Sequence, residues 1–116
     1  MNPEVAESIE VRGDRAHFRA ELNGRWALAQ TPGERWFAVD TDQGFSWNRF
    51  DEDASASEIN MYLDTLVDVA RAYVEGRYSL ARSPALRAPE LQIVTENETA
   101  VLTLGLPDLI RRFFRR

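Results

Sequence analysis

Residues 15–30 read RAHFRAELNGRWALAQ, and this stretch decides the fold. Arg15–Leu22 alternates without a break. Ala16, Phe18, Ala20 and Leu22 fall on one side; Arg15, His17, Arg19 and Glu21 fall on the other. Successive side chains of a strand point to opposite faces, so this is the pattern of a half-buried antiparallel strand. Asn23-Gly24 follows at once, the pair best suited to a type I′ hairpin turn, which needs positive φ at both central residues. Arg25–Gln30 is then the returning strand, expected to face Trp26 and Leu28 inward.

The same grammar extends in both directions. Upstream, Ser8–Arg12 reads as a strand with Ile9 and Val11 on one face, and Gly13-Asp14 turns it back. Downstream, Thr31-Pro32-Gly33-Glu34 is a turn, Trp36–Asp40 a fourth strand, Thr41-Asp42-Gln43-Gly44 another turn and Phe45–Phe50 a fifth strand. Connections this short favour a meander of sequential neighbours.

After Asp53 the period changes. Ser55-Ala56-Ser57-Glu58 is a capping box, in which the Ser55 hydroxyl accepts from the Glu58 amide while Glu58 reaches back. Ile59, Tyr62, Leu63, Leu66, Val67, Ala70, Tyr73 and Val74 then recur at intervals of mostly three and four, one apolar stripe on a helix of about five turns. Asn60, Asp64, Asp68, Arg71 and Glu75 fall on the wet face, and Gly76 stands where a C-cap is expected. Residues 77–89 read as a connector with Pro84 and Pro89. Leu91–Thr95 and Thr99–Leu104 make a second hairpin across Glu96-Asn97-Glu98, and Pro107–Phe114 a short terminal helix with proline in its first turn. The expected fold is a single α+β domain, 1–116. Its antiparallel, curved sheet combines a five-stranded N-terminal meander with a C-terminal hairpin, packed on one long helix and followed by a short C-terminal helix.

With 116 residues, 44% of them hydrophobic and 28% charged, the chain has the make-up of one packed globular core rather than of a disordered segment. Cysteine is absent, which removes disulfides, thiolate chemistry and Cys-bound metals. No leader-like start and no stretch of membrane-spanning length is visible, so a cytoplasmic protein is expected. The net charge is −5, and all fourteen basic residues are arginine. Four of them lie in Arg111-Arg112-Phe113-Phe114-Arg115-Arg116; set aside from the −5, they leave −9 on residues 1–110. An acidic body steers cationic partners and repels polyanions, so nucleic acid is not an expected partner.

Chemistry-bearing patterns are weak. The single histidine, His17, sits mid-strand among Arg15, Arg19 and Glu21 with no nucleophile in a recognisable motif beside it. Asp40-Thr41-Asp42-Gln43-Gly44 has the alternating oxygens of a calcium loop opening, but Phe45 follows too soon and no closing Glu arrives. Asp51-Glu52-Asp53 precedes the helix, where negative charge complements the helix dipole. Asp64 and Asp68 share a solvated helix face, and the glycines are scattered among turns rather than gathered in a phosphate loop. No catalytic residue, metal site or cofactor is expected, and the chain reads as a non-enzyme.

Aromatics stand out instead: Trp26, Trp36, Phe37, Phe45, Trp47 and Phe50 come from three consecutive strands. Alternation sends Trp36 opposite to Phe37 and Trp47 opposite to Phe50, so some of them face away from the helix, where exposed aromatic surface marks interaction sites. The segment Leu106–Arg116 is amphipathic and basic. It suits docking on an acidic body or a homodimer contact better than a membrane surface.

The run Trp36-Phe37-Ala38-Val39-Asp40, then Phe45-Ser46-Trp47-Asn48-Arg49-Phe50, then the helix Ile59–Val74, resembles in layout the small immunity proteins of bacterial polymorphic toxin systems. The resemblance covers about a third of the chain. It implies an acidic surface that covers a basic toxin active site. Accessory chaperones of secretion substrates are similar in architecture. The expected function is an acidic protein-binding module, read as an immunity protein. Its basic partner would meet Trp36, Trp47 and Phe50 as anchors and Asp40, Asp42, Asp51 and Asp53 as charges. The alternative is a small-ligand carrier or enzyme with a pocket in the sheet, which requires a concave cavity.

Overall fold

In the computed structural model Asn23 and Gly24 have φ of 53° and 82°, the left-handed pair that a type I′ turn demands. This turn fixes a register. Leu22 lies opposite Arg25, so Ala20 meets Ala27 and Phe18 meets Ala29. The structure describes residues 4–13, 15–33, 35–82 and 88–104. Within them the strands are β1 (Ala6–Arg12), β2 (Arg15–Leu22), β3 (Arg25–Gly33), β4 (Trp36–Thr41), β5 (Phe45–Phe50), β6 (Ser79–Arg82), β7 (Pro89–Val94) and β8 (Thr99–Leu104), with helix α1 (Ala56–Val74) between β5 and β6. The chain forms one open antiparallel sheet in the order β1-β2-β3-β4-β5-β8-β7-β6. The meander is therefore as expected. The C-terminal hairpin joins the same sheet through β5, with Phe45 opposite Leu104 and Ser46 opposite Thr103.

One face of the sheet carries the core. From β2 it presents Phe18 and Ala20, from β3 Ala27 and Ala29, from β4 Phe37 and Val39, and from β5 Phe45 and Trp47; β7 and β8 add Leu91, Ile93, Ala100 and Leu102. Helix α1 packs on this layer, touching β2, β3, β4 and β7. Two-sided use of the helix explains its burial. Thr65, Val69 and Ala72 are buried as fully as Leu66, Ala70 and Tyr73, whereas Ile59, Leu63 and Val67 of the expected stripe stay half-buried. The β7–β8 turn is tied to the helix by Asn97 Nδ2, which donates to Thr65 Oγ1 at 3.3 Å and to the Met61 carbonyl at 3.4 Å. Both ends of α1 follow the sequence. Ser55 and Glu58 form the capping box. Gly76 adopts φ 75°, while the Gly76 and Arg77 amides donate to the Tyr73 and Ala72 carbonyls. That pair of bonds is a Schellman closure.

Two expectations change, and one is not reached. Trp26 and Leu28 lie on the face away from α1, because the Asn23-Gly24 register gives the helix side to Ala27 and Ala29. The expected connector 77–89 contains strand β6, paired with β7 from Ser79↔Gln92 to Arg82↔Pro89. The expected terminal helix Pro107–Phe114 lies outside the described residues.

Candidate functional site

The seven residues singled out for contact are distributed by strand parity and by turn position. Trp36 and Phe50 are direct cross-strand partners on the face away from α1, 47% and 63% exposed. Trp47 is on the opposite face, across from Val39, and only 8% exposed; it is a core side chain. Asp40 shares the outer face with Trp36 and accepts a 3.3 Å hydrogen bond from Gln30 Nε2. Asp42 Oδ1 accepts from the Trp26 amide at 3.0 Å and from Tyr73 Oη at 2.9 Å. Asp51 accepts from Tyr62 Oη at 2.7 Å and from the Asp53 amide at 3.2 Å. Asp53 and its neighbour Glu52 are exposed.

The two acidic segments are not one surface. Asp42 follows the end of β4 and Asp51 the end of β5, and β4 and β5 are antiparallel. A six-residue strand spans roughly 17–20 Å, so that distance separates them. Asp51, Glu52 and Asp53 follow Phe50 in the chain, and the Asp51 amide donates to the Arg35 carbonyl beside Trp36 at 3.1 Å. Other members of this outer face come from the register. The Arg19 guanidinium lies 5.0 Å from the Trp26 ring centre, a cation–π contact, and Leu28 sits between Arg19 and Asp40 in the pairing.

Near the start of α1 a dense polar cluster holds the sheet to the helix. Arg49 Nη1 and Nη2 donate to the two Glu98 carboxylate oxygens, each at 2.6 Å. The same guanidinium lies 5.0 Å from the ring centres of Trp47 and Tyr62. The Glu98 hydrogen bonds raise the Arg49 pKa above its ordinary value, and the bond to Asp51 raises that of Tyr62. Every charge in the cluster is answered by a neighbour, so its role is to lock β5 and the β7–β8 turn onto α1. Among the described residues every buried side-chain nitrogen and oxygen has a hydrogen-bond partner.

A concave feature lies between α1 and the β1 edge. It is a half-open cleft of ≈ 500 Å³. Phe18, Ala29 and Phe37 from the helix-facing rows of the sheet line it together with Leu66. Ile59, Leu63 and Val67 of α1 bound one side, and Ile9 and Val11 of β1, 70% and 65% exposed, bound the other. At the end where β2 begins and β3 ends it is bordered by the strand positions Arg15 and Gly33 and by Arg35, although the Arg15 side chain alternates to the face opposite Ala16 and Phe18. At that end β3 carries an irregularity between Gln30 and Gly33, which shifts its pairing with β4. Arg35 there adopts a left-handed φ of 57°. Bulged strands re-aim side chains in this way. His17 also borders the cleft, its Nε2 3.3 Å from Glu10 Oε2.

Among the described residues no group of His, Cys, Asp and Glu has the arrangement of a metal site, and no helix is long and apolar enough to cross a membrane. Comparison with known proteins finds no matching family model, no matching curated protein and no matching solved structure.

Proposed function

We propose that the chain is a non-enzymatic, acidic protein-binding module, and that it acts in the bacterial cytoplasm as an immunity protein for a cationic toxin. The observation that carries the reading is the cross-strand pair Trp36–Phe50. These are two large aromatics side by side on a sheet face that no described element covers, with the exposed Glu52 and Asp53 two and three positions after Phe50 in the chain. Aromatics of this kind supply most of the binding energy at protein interfaces. Rim carboxylates mainly accelerate encounter with a basic partner, in keeping with the chain's −5 charge. Trp47 has no part in this contact, because it is spent on the core. Asp42 and Asp51 support the fold, and Asp40 sits at the far end of the same face.

The test starts from cross-linking in the native host, followed by recombinant production of the recovered protein. The expected partner is basic, binds the purified chain more slowly as salt rises, and is toxic to cells unless this chain is co-expressed. Trp36→Ala/Phe50→Ala should abolish both binding and protection. A partner that binds the double variant as tightly as the wild type would remove the proposal. So would a partner whose toxicity this chain leaves unchanged.

A further inference from the structure

We infer that strand β1 is the seam of a homodimer: its free edge pairs antiparallel with β1 of a second copy of this chain, centred on Ile9. The contact is separate from the protein-binding reading, since β1 lies three strands away from β4, which carries Trp36 opposite Phe50.

The backbone sets the first condition. Arg12 is paired directly with Arg15 across two intervening residues, and a pair that closes so short a loop exchanges its own N–H···O bonds. Bonded and non-bonded pairs alternate along an antiparallel ladder, so Arg12, Glu10, Ser8 and Ala6 bond to β2. Glu7, Ile9 and Val11 therefore turn their N–H and C=O groups outward, and β1 ends the sheet among the described residues.

This edge is also unguarded. Sheets protect their edges with short strands, proline, bulges or lysine. The opposite edge, β6, is only four residues long and pairs with Pro89 at its end. By contrast β1 runs for seven residues without proline, glycine or lysine, and its register with β2 is unbroken from Ala6 to Arg12. All seven residues are exposed, Ile9 and Val11 by 70% and 65%. Its charges are already answered within the chain. Arg71 of α1 holds Glu7 through hydrogen bonds of 2.5 and 2.9 Å, and Glu10 Oε1 lies 2.6 Å from Arg12 Nε.

Any extended segment could satisfy the backbone; the side chains select a second copy. A two-fold pairing centred on Ile9 aligns the whole of β1 with itself. Ile9 meets Ile9 of the second copy, Glu7 meets Val11, Ser8 meets Glu10 and Ala6 meets Arg12, so no like charges stand opposite. Centring on Glu10 instead would set two carboxylates face to face, which is destabilising. In the Ile9 register the residues with free backbone groups pair with one another, each pair exchanging two hydrogen bonds. On the α1 side Ile9 and Val11 of both copies come together, which takes their exposed apolar surface out of water.

Sedimentation equilibrium on the purified full chain tests the seam, with amide hydrogen exchange recorded at low and high concentration. The mass should double with a dissociation constant in the micromolar range, as befits a small interface. Exchange at Glu7, Ile9 and Val11 should slow as concentration rises, whereas Ser8, Glu10 and Arg12, which donate to β2, should be protected alike at both. Ile9→Lys puts two cations opposite each other at the two-fold axis. It should raise the dissociation constant at least about tenfold and leave the urea midpoint near that of the wild type, because the side chain is exposed. Ile9→Pro removes an outward-facing donor and should act in the same way. A chain that stays monomeric at millimolar concentration overturns the inference, as does a dimer that both variants leave intact. So does slow exchange at Glu7, Ile9 and Val11 that is independent of concentration, because a segment of the same chain would then hold the edge. Each of these outcomes leaves the Trp36–Phe50 reading untouched.

Discussion

Tyr73 Oη donates a 2.9 Å hydrogen bond to Asp42 Oδ1, tying the last turns of α1 to the β4–β5 turn. The same oxygen accepts the Trp26 amide at 3.0 Å, so one carboxylate holds helix, turn and β3 together. Asp42→Ala leaves two donors without this acceptor and should cost about 1–3 kcal/mol, while Tyr73→Phe should cost about 1 kcal/mol. In urea titrations the two changes should be non-additive, since both remove the same bond. Additive losses would show that Asp42 and Tyr73 act separately.

The same tyrosine makes stability depend on alkaline pH. Burial, and then the Asp42 carboxylate beside it, raise the Tyr73 pKa above its ordinary value of 10.0. The unfolded chain therefore gives up this proton before the folded one does. The stabilisation is fully present below pH 10 and declines as pH rises beyond it. Tyr62, raised by its bond to Asp51, acts in the same direction. Urea midpoints measured from pH 8 to about 11.5 should fall with pH above 10. Tyr73→Phe should flatten that fall, and an unchanged slope in the variant would contradict the assignment.

The Asn23-Gly24 turn is the clearest signal in the sequence, and it specifies more than a hairpin. It implied a hairpin, and the hairpin formed. It also implied that Leu22 meets Arg25, which places Ala27 and Ala29, not Trp26 and Leu28, beside Ala20 and Phe18. Size suggested that tryptophan and leucine go inside; register outranks size, because a two-residue turn leaves no freedom of pairing. Gly24→Ala, at φ 82° with no neighbour within 4 Å of the added methyl, tests the turn alone. It should cost about 1 kcal/mol through backbone strain, and partner binding should be unaffected.

Other features lay beyond sequence reading for definite reasons. Strand β6 is four residues at a sheet edge with one partner, and Leu80 in it is exposed, so its burial left no periodic signal to read. The helical stripe was legible, but its buried arc is shifted because the β7–β8 turn docks on the side that carries Thr65. A contact between Asn97 and Thr65 spans thirty-two positions and has no local signature. The cleft is a consequence of that shift, so the sequence named Ile59, Leu63 and Val67 as core and missed the opening beside them.

Trp36 and Trp47 give the sharpest separation of folding from contact. Parity alone states that Trp47 and Phe50 face opposite ways. The identity of the buried face follows from the chain of pairs Phe18↔Ala29, Ala29↔Val39 and Val39↔Trp47. The irregularity between Gln30 and Gly33 conceals the middle link of that chain from sequence. Trp47, at 8% exposure and flanked by the Arg49 guanidinium, should cost about 3–5 kcal/mol when replaced by alanine. Trp36→Ala and Phe50→Ala remove half-exposed rings and should each cost less than about 1 kcal/mol. Partner affinity should show the reverse order. The Trp36 and Phe50 variants should lose most of it at near-normal stability, and a Trp47→Phe variant that stays folded should retain it. Urea denaturation and partner titration on the same preparations measure both quantities. A Trp47→Phe protein that folds and fails to bind, beside Trp36→Ala and Phe50→Ala proteins that bind normally, would move the contact to the other face.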